Sequence, residues 1–238
     1  IRIKENFKIL LPDDAKILLH KDFKLHPYAC DEYVSTIGTT KDLGISLEQF
    51  GNFIDGNIDH DVEKMEKDLE ELRFNLQTYH IKLHQNKNEK EIIQEKISRL
   101  ENFIKRKKFY QIWLAYEKLK ERRDLQDYSD LNKKALELLK KNPEIANEYE
   151  YVIVDEFQDT NKMQCDFLEY LAPHKNITVV GDLNQSIYRF RGAYRDNLDN
   201  FKKYFNLQES DIYFLDKSFR STNKILKVAN QLIQCNYK

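Results

Sequence analysis

The sequence predicts an α/β protein in two parts. A mostly helical first part carries a long antiparallel helical hairpin, and a second part is built on a parallel sheet. Three observations predict this. Residues 57–142 contain no Gly and no Pro. Within that stretch apolar residues recur at alternating steps of three and four, the period of a packed helix face. After Pro143, short β-branched runs that each close on an acid alternate with helix-length segments.

At 238 residues, with 41% hydrophobic and 33% charged residues, the chain can bury a core. The net charge of -1 neither supports nor excludes a nucleic-acid partner, so any basic footprint must be local. Cys30, Cys165 and Cys235 are far apart, show no metal-binding spacing, and read as reduced cytosolic thiols. His80 and His84 sit at i,i+4, but no carboxylate follows them in a known pattern, so a solvated helix face is the commoner reading. No apolar stretch approaches the ~18 residues of a membrane span and no signal peptide is seen. A cytoplasmic protein with no membrane partner is expected.

The elements follow in order. "FKILLPDDAKILLHKDF" predicts a short strand or turn, then a helix starting near Asp13. The next segment, through "YVSTIGTTKDLGISLEQFGNFIDGN", reads only as short helices and turns. Val62, Met65, Leu69, Leu72, Leu76, Tyr79 and Leu83 form a heptad-like seam. After the polar stretch "HQNKNEKE" it resumes at Ile93, Ile97, Leu100 and Ile104. Two seams joined by a polar turn predict the hairpin, and Ile112, Trp113, Tyr116 and Leu119 extend its second arm. The hairpin is either an arm that touches a partner or a plain packing element. "KRKK", Lys105 to Lys108, offers phosphate contacts, although such a run is more often a solvated face.

"YVIVD", "ITVVGD" and "IYFLD" predict three parallel strands covered on both faces, with helices at Lys162 to Leu171 and Arg195 to Tyr204. Ligands of open parallel sheets bind beyond the carboxyl ends of the strands. Asp155, Glu156, Asp182 and Asp216 fall near those ends. For a nucleoside triphosphate there, Asp155 suits a Mg²⁺ water, and Glu156 suits a base for water attacking the γ-phosphate. An acid pair after a strand is by itself a weak signal. The stretch "VVGDLNQSIYRFRGA" strengthens it. Gln185 offers an amide to a phosphate oxygen. Tyr188 and Phe190, interleaved with Arg189 and Arg191, have the make-up of a single-strand binding track. "LDKSFRST" adds Phe219, which can pack on a base, and Arg220, which can serve as an in-chain arginine finger.

Together these residues resemble superfamily 1 DNA helicases of the UvrD/Rep/PcrA group. "VDEFQDTN" resembles motif II, the Walker B element. "GDLNQSIYRFRGA" resembles motif III and "LDKSFRST" motif IV, while "LQDYSDL" resembles the short acidic motif before motif II. The resemblance is close over roughly the last 115 residues, and the ordered set of motifs is specific. It implies ATP and Mg²⁺ as cofactors, with single-stranded DNA and single/double-strand junctions as partners. It also implies that Asp155 coordinates Mg²⁺ and Glu156 is the base. Gln185 senses the γ-phosphate, Arg220 contacts it, and Phe219 stacks near the adenine. Tyr188 and Phe190 contact DNA. Arg191 falls to structural support, and Gln158 and Asp159 receive no role. The family usually has Trp where Phe190 stands and Asn-Tyr-Arg-Ser where Ser218 to Ser221 stand.

By this resemblance residues 1–142 are a 1B-like domain with its hairpin at about 60–122. Residues 143–222 are part of a RecA-like P-loop NTPase domain, and 223–238 are the first helix beyond motif IV. No GxxxxGK[ST] phosphate loop occurs in the chain, and the family's motifs V and VI are not found. The expectation is a central fragment of an ATP-dependent 3′-to-5′ helicase, inactive alone, whose partner is the remainder of its own polypeptide. Two other readings stand beside it: a non-catalytic DNA-binding or scaffold module that reuses the fold, and a structural coiled-coil protein.

Overall fold

A computed structural model describes residues 7–54, 62–82, 87–186 and 197–235, with side chains except those of residues 75, 77–82 and 87–90. Two compact units divide it, Ile1–Leu131 and Asn132–Lys238. The division falls inside a helix, upstream of the change in sequence pattern at Pro143.

In the first unit β1 (Lys8–Ile9) leads into α1 (Pro12–Phe23), close to the expected start. Pro12 suits the first helical position, and Asp13 and Asp14 complement the positive helix start. The segment expected to hold only short helices contains α2 (Pro27–Asp42), followed by α3 (Leu47–Phe53). Ser46 and Gln49 close a reciprocal capping box at the start of α3. The glycine and threonines of "STIGTT" disguised α2, because their weak helix propensity is overridden by burial of Cys30 and Ile37.

Two long helices follow, α4 (Val62–Lys82) and α5 (Lys87–Arg122). They pack through Leu69, Ile97 and Ile104, with Met65, Leu72, Ile93 and Leu100 around them. Lys108 Nζ meets Glu66 Oε1 at 2.5 Å and Arg73 Nη2 meets Glu101 Oε1 at 2.6 Å. Positions that rise along α4 therefore meet positions that fall along α5, so the pair runs antiparallel. The side chains of Tyr79 and His80, and Leu83 and His84 entirely, lie outside the described residues.

The second half of α5 leaves the seam and enters the main core. Trp113 and Tyr116 pack there with Leu10, Ala15, Leu19, Cys30 and Ile37. β2 (Leu125–Gln126) then pairs in parallel with β1, Lys8 opposite Leu125. The "KRKK" run is largely committed to this unit. Arg106 lies over the Phe53 ring, Lys107 is buried, and Lys108 pairs with Glu66.

Helix α6 (Tyr128–Lys141) runs from the first unit into the second. There β3 (Val152–Val154), α7 (Lys162–Leu171) and β4 (Ile177–Val179) form a strand–helix–strand unit. The strands pair in parallel, with Val152, Ile153 and Val154 opposite Ile177, Thr178 and Val179. Helix α8 (Asn197–Phe205) joins the core of Val152, Phe157, Leu168, Ala172, Phe201 and Phe205. Chain order strand, helix, strand is the parallel crossover expected from the apolar runs.

Two expectations need correction. Residues 212–218 form no strand, and Tyr213, Phe214 and Leu215 are exposed. An apolar run becomes a strand only where another strand takes its backbone bonds and a packed face takes its side chains. Neither is present for 212–216 among the described residues. Asp216 therefore does not stand at a strand end. Cover on both faces of the sheet is also not found among the described residues: Val152 is buried, while its neighbour Ile153 is 77% exposed. The last helix, α9 (Asn223–Gln234), has Ile225, Val228 and Leu232 exposed along one side.

Candidate active site

The carboxyl ends of β3 and β4 carry the expected acids. The strand ladder continues past β3: Val180 N donates to Val154 O at 2.8 Å and Phe157 N to Val180 O at 2.9 Å. Asp155 and Glu156 lie between these two bonds, exposed. Glu156 has φ 50° and ψ 40°, the left-handed region that non-glycine residues seldom occupy. Such backbone persists only where its surroundings over-determine it. Here Phe157 is the anchor, buried against Phe201 with ring centroids 5.1 Å apart. Asp155 Oδ1 accepts the Glu156 N–H at 2.9 Å.

Behind the acids, Gln158 is 6% exposed. Its Nε2 donates to Glu156 Oε2 at 2.6 Å, and its Oε1 accepts the Asp182 N–H at 3.0 Å. Gly181 makes this approach possible, because a Cβ there would lie 2.6 Å from Gln158 Oε1 and 3.2 Å from Gln158 N. The Asp182 carboxylate caps the turn after β4, accepting from Asn184 N at 2.9 Å through Oδ1. Its Oδ2 accepts from Gln185 Nε2, also at 2.9 Å. Thr160 closes the turn after Glu156 by donating to Phe157 O at 2.6 Å. Buried Asn197 of α8 donates in turn to Thr160 O and Oγ1. Asp159 Oδ1 is buried with no hydrogen-bond partner among the described residues.

The structure thus brings Asp155, Glu156 and Gln185 together at one edge of the strand pair. It does not bring Phe219 or Arg220 to them. Phe219 is 97% exposed, and the backbone N–H of Arg220 donates to Ser218 Oγ while no partner of its guanidinium is found among the described residues. Tyr188 and Phe190, with Arg189 and Arg191, lie outside the described residues. Gln158 was not assigned a role from sequence. Its signals are its place in the stretch that resembles motif II and an amide two residues beyond an acid pair.

A second acidic group lies in the first unit, where oxygens of Glu117, Asp127 and Asp130 come within 4.8 Å of one another. Two ammonium groups already serve it. Lys120 Nζ lies 2.7 Å from Asp127 Oδ2 and 2.6 Å from Asp130 Oδ2. Lys41 Nζ lies 2.8 Å from Asp127 Oδ2 and also contacts Asp130. Burial pushes the Asp127 carboxyl up, but Lys41 and Lys120 outweigh it and hold the group well below the usual carboxylate range. Burial likewise pulls the Lys41 ammonium down, and Asp127, Glu117 and Asp130 carry it above the ordinary lysine value. This is an internal ion cluster. Asp155 and Glu156 differ: no cationic side chain pairs with either among the described residues. Hard, exposed carboxylate oxygens with free lone pairs fit Mg²⁺ and its waters.

The parallel strands and the helices packed with them make an α/β domain, and open sheets of this kind bind ligands beyond the carboxyl ends of their strands. Comparison with known proteins places that domain. Residues 3–206 match the model of the UvrD/REP helicase N-terminal domain. The chain belongs to this family of DNA helicases. It is 38% identical over 130 residues to "ATP-dependent DNA helicase PcrA" of Staphylococcus aureus and 35% identical over 130 residues to "Probable DNA helicase II homolog" of Mycoplasma pneumoniae. Each match covers 52% of this chain and 18% of the relative. A Mycoplasma genitalium protein also described as "Probable DNA helicase II homolog" is 36% identical over 126 residues, covering 51% of this chain and 18% of its own length. No helix among the described residues is long and apolar enough to cross a membrane.

Proposed function

We propose that the whole protein to which this chain belongs is an ATP-driven DNA helicase that moves 3′-to-5′ on single-stranded DNA and opens duplex at single/double-strand junctions. The observation that carries this reading is the acid pair Asp155–Glu156, which has no cationic partner among the described residues and is held beside Gln185 at the carboxyl edge of β3 and β4. Family membership and the relatives' names support ATP as the fuel and DNA as the track.

In this reading Asp155 would hold Mg²⁺, which would supply charge neutralisation for the phosphates. Glu156 accepts the proton of the attacking water. The Gln185 amide reads the γ-phosphate oxygen. Arg220 reaches the same phosphate as an in-chain arginine finger, and Phe219 stacks near the adenine. Both are exposed, as a group that meets its ligand late would be. Tyr188 and Phe190 stack on DNA bases. Residues 1–142 serve as a 1B-like domain, 143–222 as part of a RecA-like domain, and 223–238 as the first helix beyond motif IV. The remainder of the polypeptide supplies the phosphate loop, so this chain alone does not turn over ATP. The protein works in the cytoplasm.

The test is ATP hydrolysis by the full-length native protein, with and without single-stranded DNA, beside Glu156→Gln. DNA-stimulated turnover that is lost in the variant supports the reading. DNA binding without turnover in the wild type overturns it and favours a scaffold.

A further inference from the structure

We infer that Gln158 is a positioning residue that aims the Glu156 carboxylate and couples it to Gln185. The inference rests on the reading of Glu156 as base and Gln185 as phosphate sensor. It goes beyond that reading by joining the two through a residue to which no role had been given.

Three hydrogen bonds form the connection. Gln158 Nε2 donates to Glu156 Oε2 at 2.6 Å, Asp182 N donates to Gln158 Oε1 at 3.0 Å, and Gln185 Nε2 donates to Asp182 Oδ2 at 2.9 Å. The amide orientation follows from its partners. A carboxylate only accepts and a backbone N–H only donates, so the reversed amide would oppose acceptor to acceptor and donor to donor. An ionised glutamate of the same length offers no donor, and methionine offers no N–H or O–H. The site is also shaped around the amide. Gln158 is 6% exposed, Gly181 leaves the space that a Cβ would take, and Ser186 Oγ donates to Gln158 O at 3.4 Å. The turn beneath is fixed by Phe157 in the core and by Asn197 on Thr160. A rigid bed with one polar tie on the carboxylate is what aiming a base requires.

The connection runs in both directions. A Gln185 amide drawn toward a phosphate oxygen releases Asp182 Oδ2. The Asp182 backbone N–H is bonded to Gln158, so a shift there reaches Glu156. Strand-end acids and the turn after β4 thereby respond as one unit.

The experiment uses the full-length native protein and reads DNA-stimulated kcat, KM for ATP and melting temperature. Gln158→Leu and Gln158→Met each remove both the donor to Glu156 and the acceptor for Asp182 N. Both are expected to lower kcat by about 10- to 100-fold, with KM for ATP changed less than about 3-fold. Combined with Gln185→Ala, an exposed position, the losses should not multiply. The double variant should lie within about 3-fold of the worse single one. A purely structural role predicts instead that a folded Gln158→Leu or Gln158→Met turns over like the wild type, or that the losses multiply. Either result overturns the inference. If either substitution prevents folding, the other carries the same comparison. If both do, Gln158 is structural and the inference fails. Full turnover by Glu156→Gln would overturn the reading of the base itself, a separate result.

Discussion

Lys41 Nζ lies 2.8 Å from Asp127 Oδ2, across 86 positions of sequence, in a cluster that also holds Lys120, Glu117 and Asp130. Trp113 Nε1 donates to Glu117 Oε1 at 3.0 Å and the Tyr116 hydroxyl to Asp127 Oδ2 at 3.3 Å. The cluster therefore joins the end of α2, the core half of α5 and the start of α6. Lys41→Met removes one cation and leaves buried acids under-compensated. It should cost about 3–5 kcal/mol, measured by denaturant unfolding. Lys162→Ala, which removes the surface pair with Asp166, should cost no more than about 0.5 kcal/mol.

Acid should act through the same cluster. The folded-state Asp127 carboxyl lies below its ordinary value of 3.8. Its stabilisation is therefore present above that value and is lost as pH falls below it toward the depressed folded value. Lys41 has the opposite sign: raised above 10.5, it stabilises fully below that pH and loses the contribution as pH rises further. Urea midpoints of the first unit should hold between these limits and fall outside them. Asp127→Asn should be less stable at neutral pH and show a flatter acid limb.

Gly181 is predicted to be intolerant of a methyl group. Gly181→Ala would place Cβ 2.6 Å from Gln158 Oε1, and the Gln158 backbone N at 3.2 Å limits escape. Gln158 must leave Asp182 N, so kcat of the full-length protein should fall about 10-fold or more, with DNA affinity unchanged. Steady-state ATPase and fluorescence anisotropy on labelled single-stranded DNA measure the two.

The α4–α5 pair should open locally. Leu69→Ala removes a side chain that is 8% exposed in the seam and should cost about 2–4 kcal/mol. Hydrogen exchange should show faster amides in α4 and the first half of α5. Amides around Trp113, in the separate core cluster, should change much less.

Much of this architecture was legible because its signals are local. The seam at Leu69, Ile97 and Ile104 follows from spacing alone, and α7 begins and ends where the sequence placed it. Asp155 and Glu156 were legible because an acid pair directly follows an apolar run. The reciprocal cap at Asp127 and Asp130, where each carboxylate accepts the other's backbone N–H, is a finding of the structure. Its lysine partners were not legible either: nothing in "TTKDL" marks Lys41 as buried. The run at 212–216 misled because strand formation depends on a pairing edge that propensity does not reveal. Gln158 was visible as a residue, but its role depends on Gly181 and Asp182, more than twenty positions downstream.

The central claim is that Glu156 is the base of an ATP-hydrolysing site. It is tested most directly by single-turnover hydrolysis in the full-length protein, with ATP affinity measured in parallel. Glu156→Gln should bind ATP nearly as tightly as the wild type and cleave it about 10²- to 10⁴-fold more slowly in the presence of single-stranded DNA. Cleavage at the wild-type rate would contradict the account.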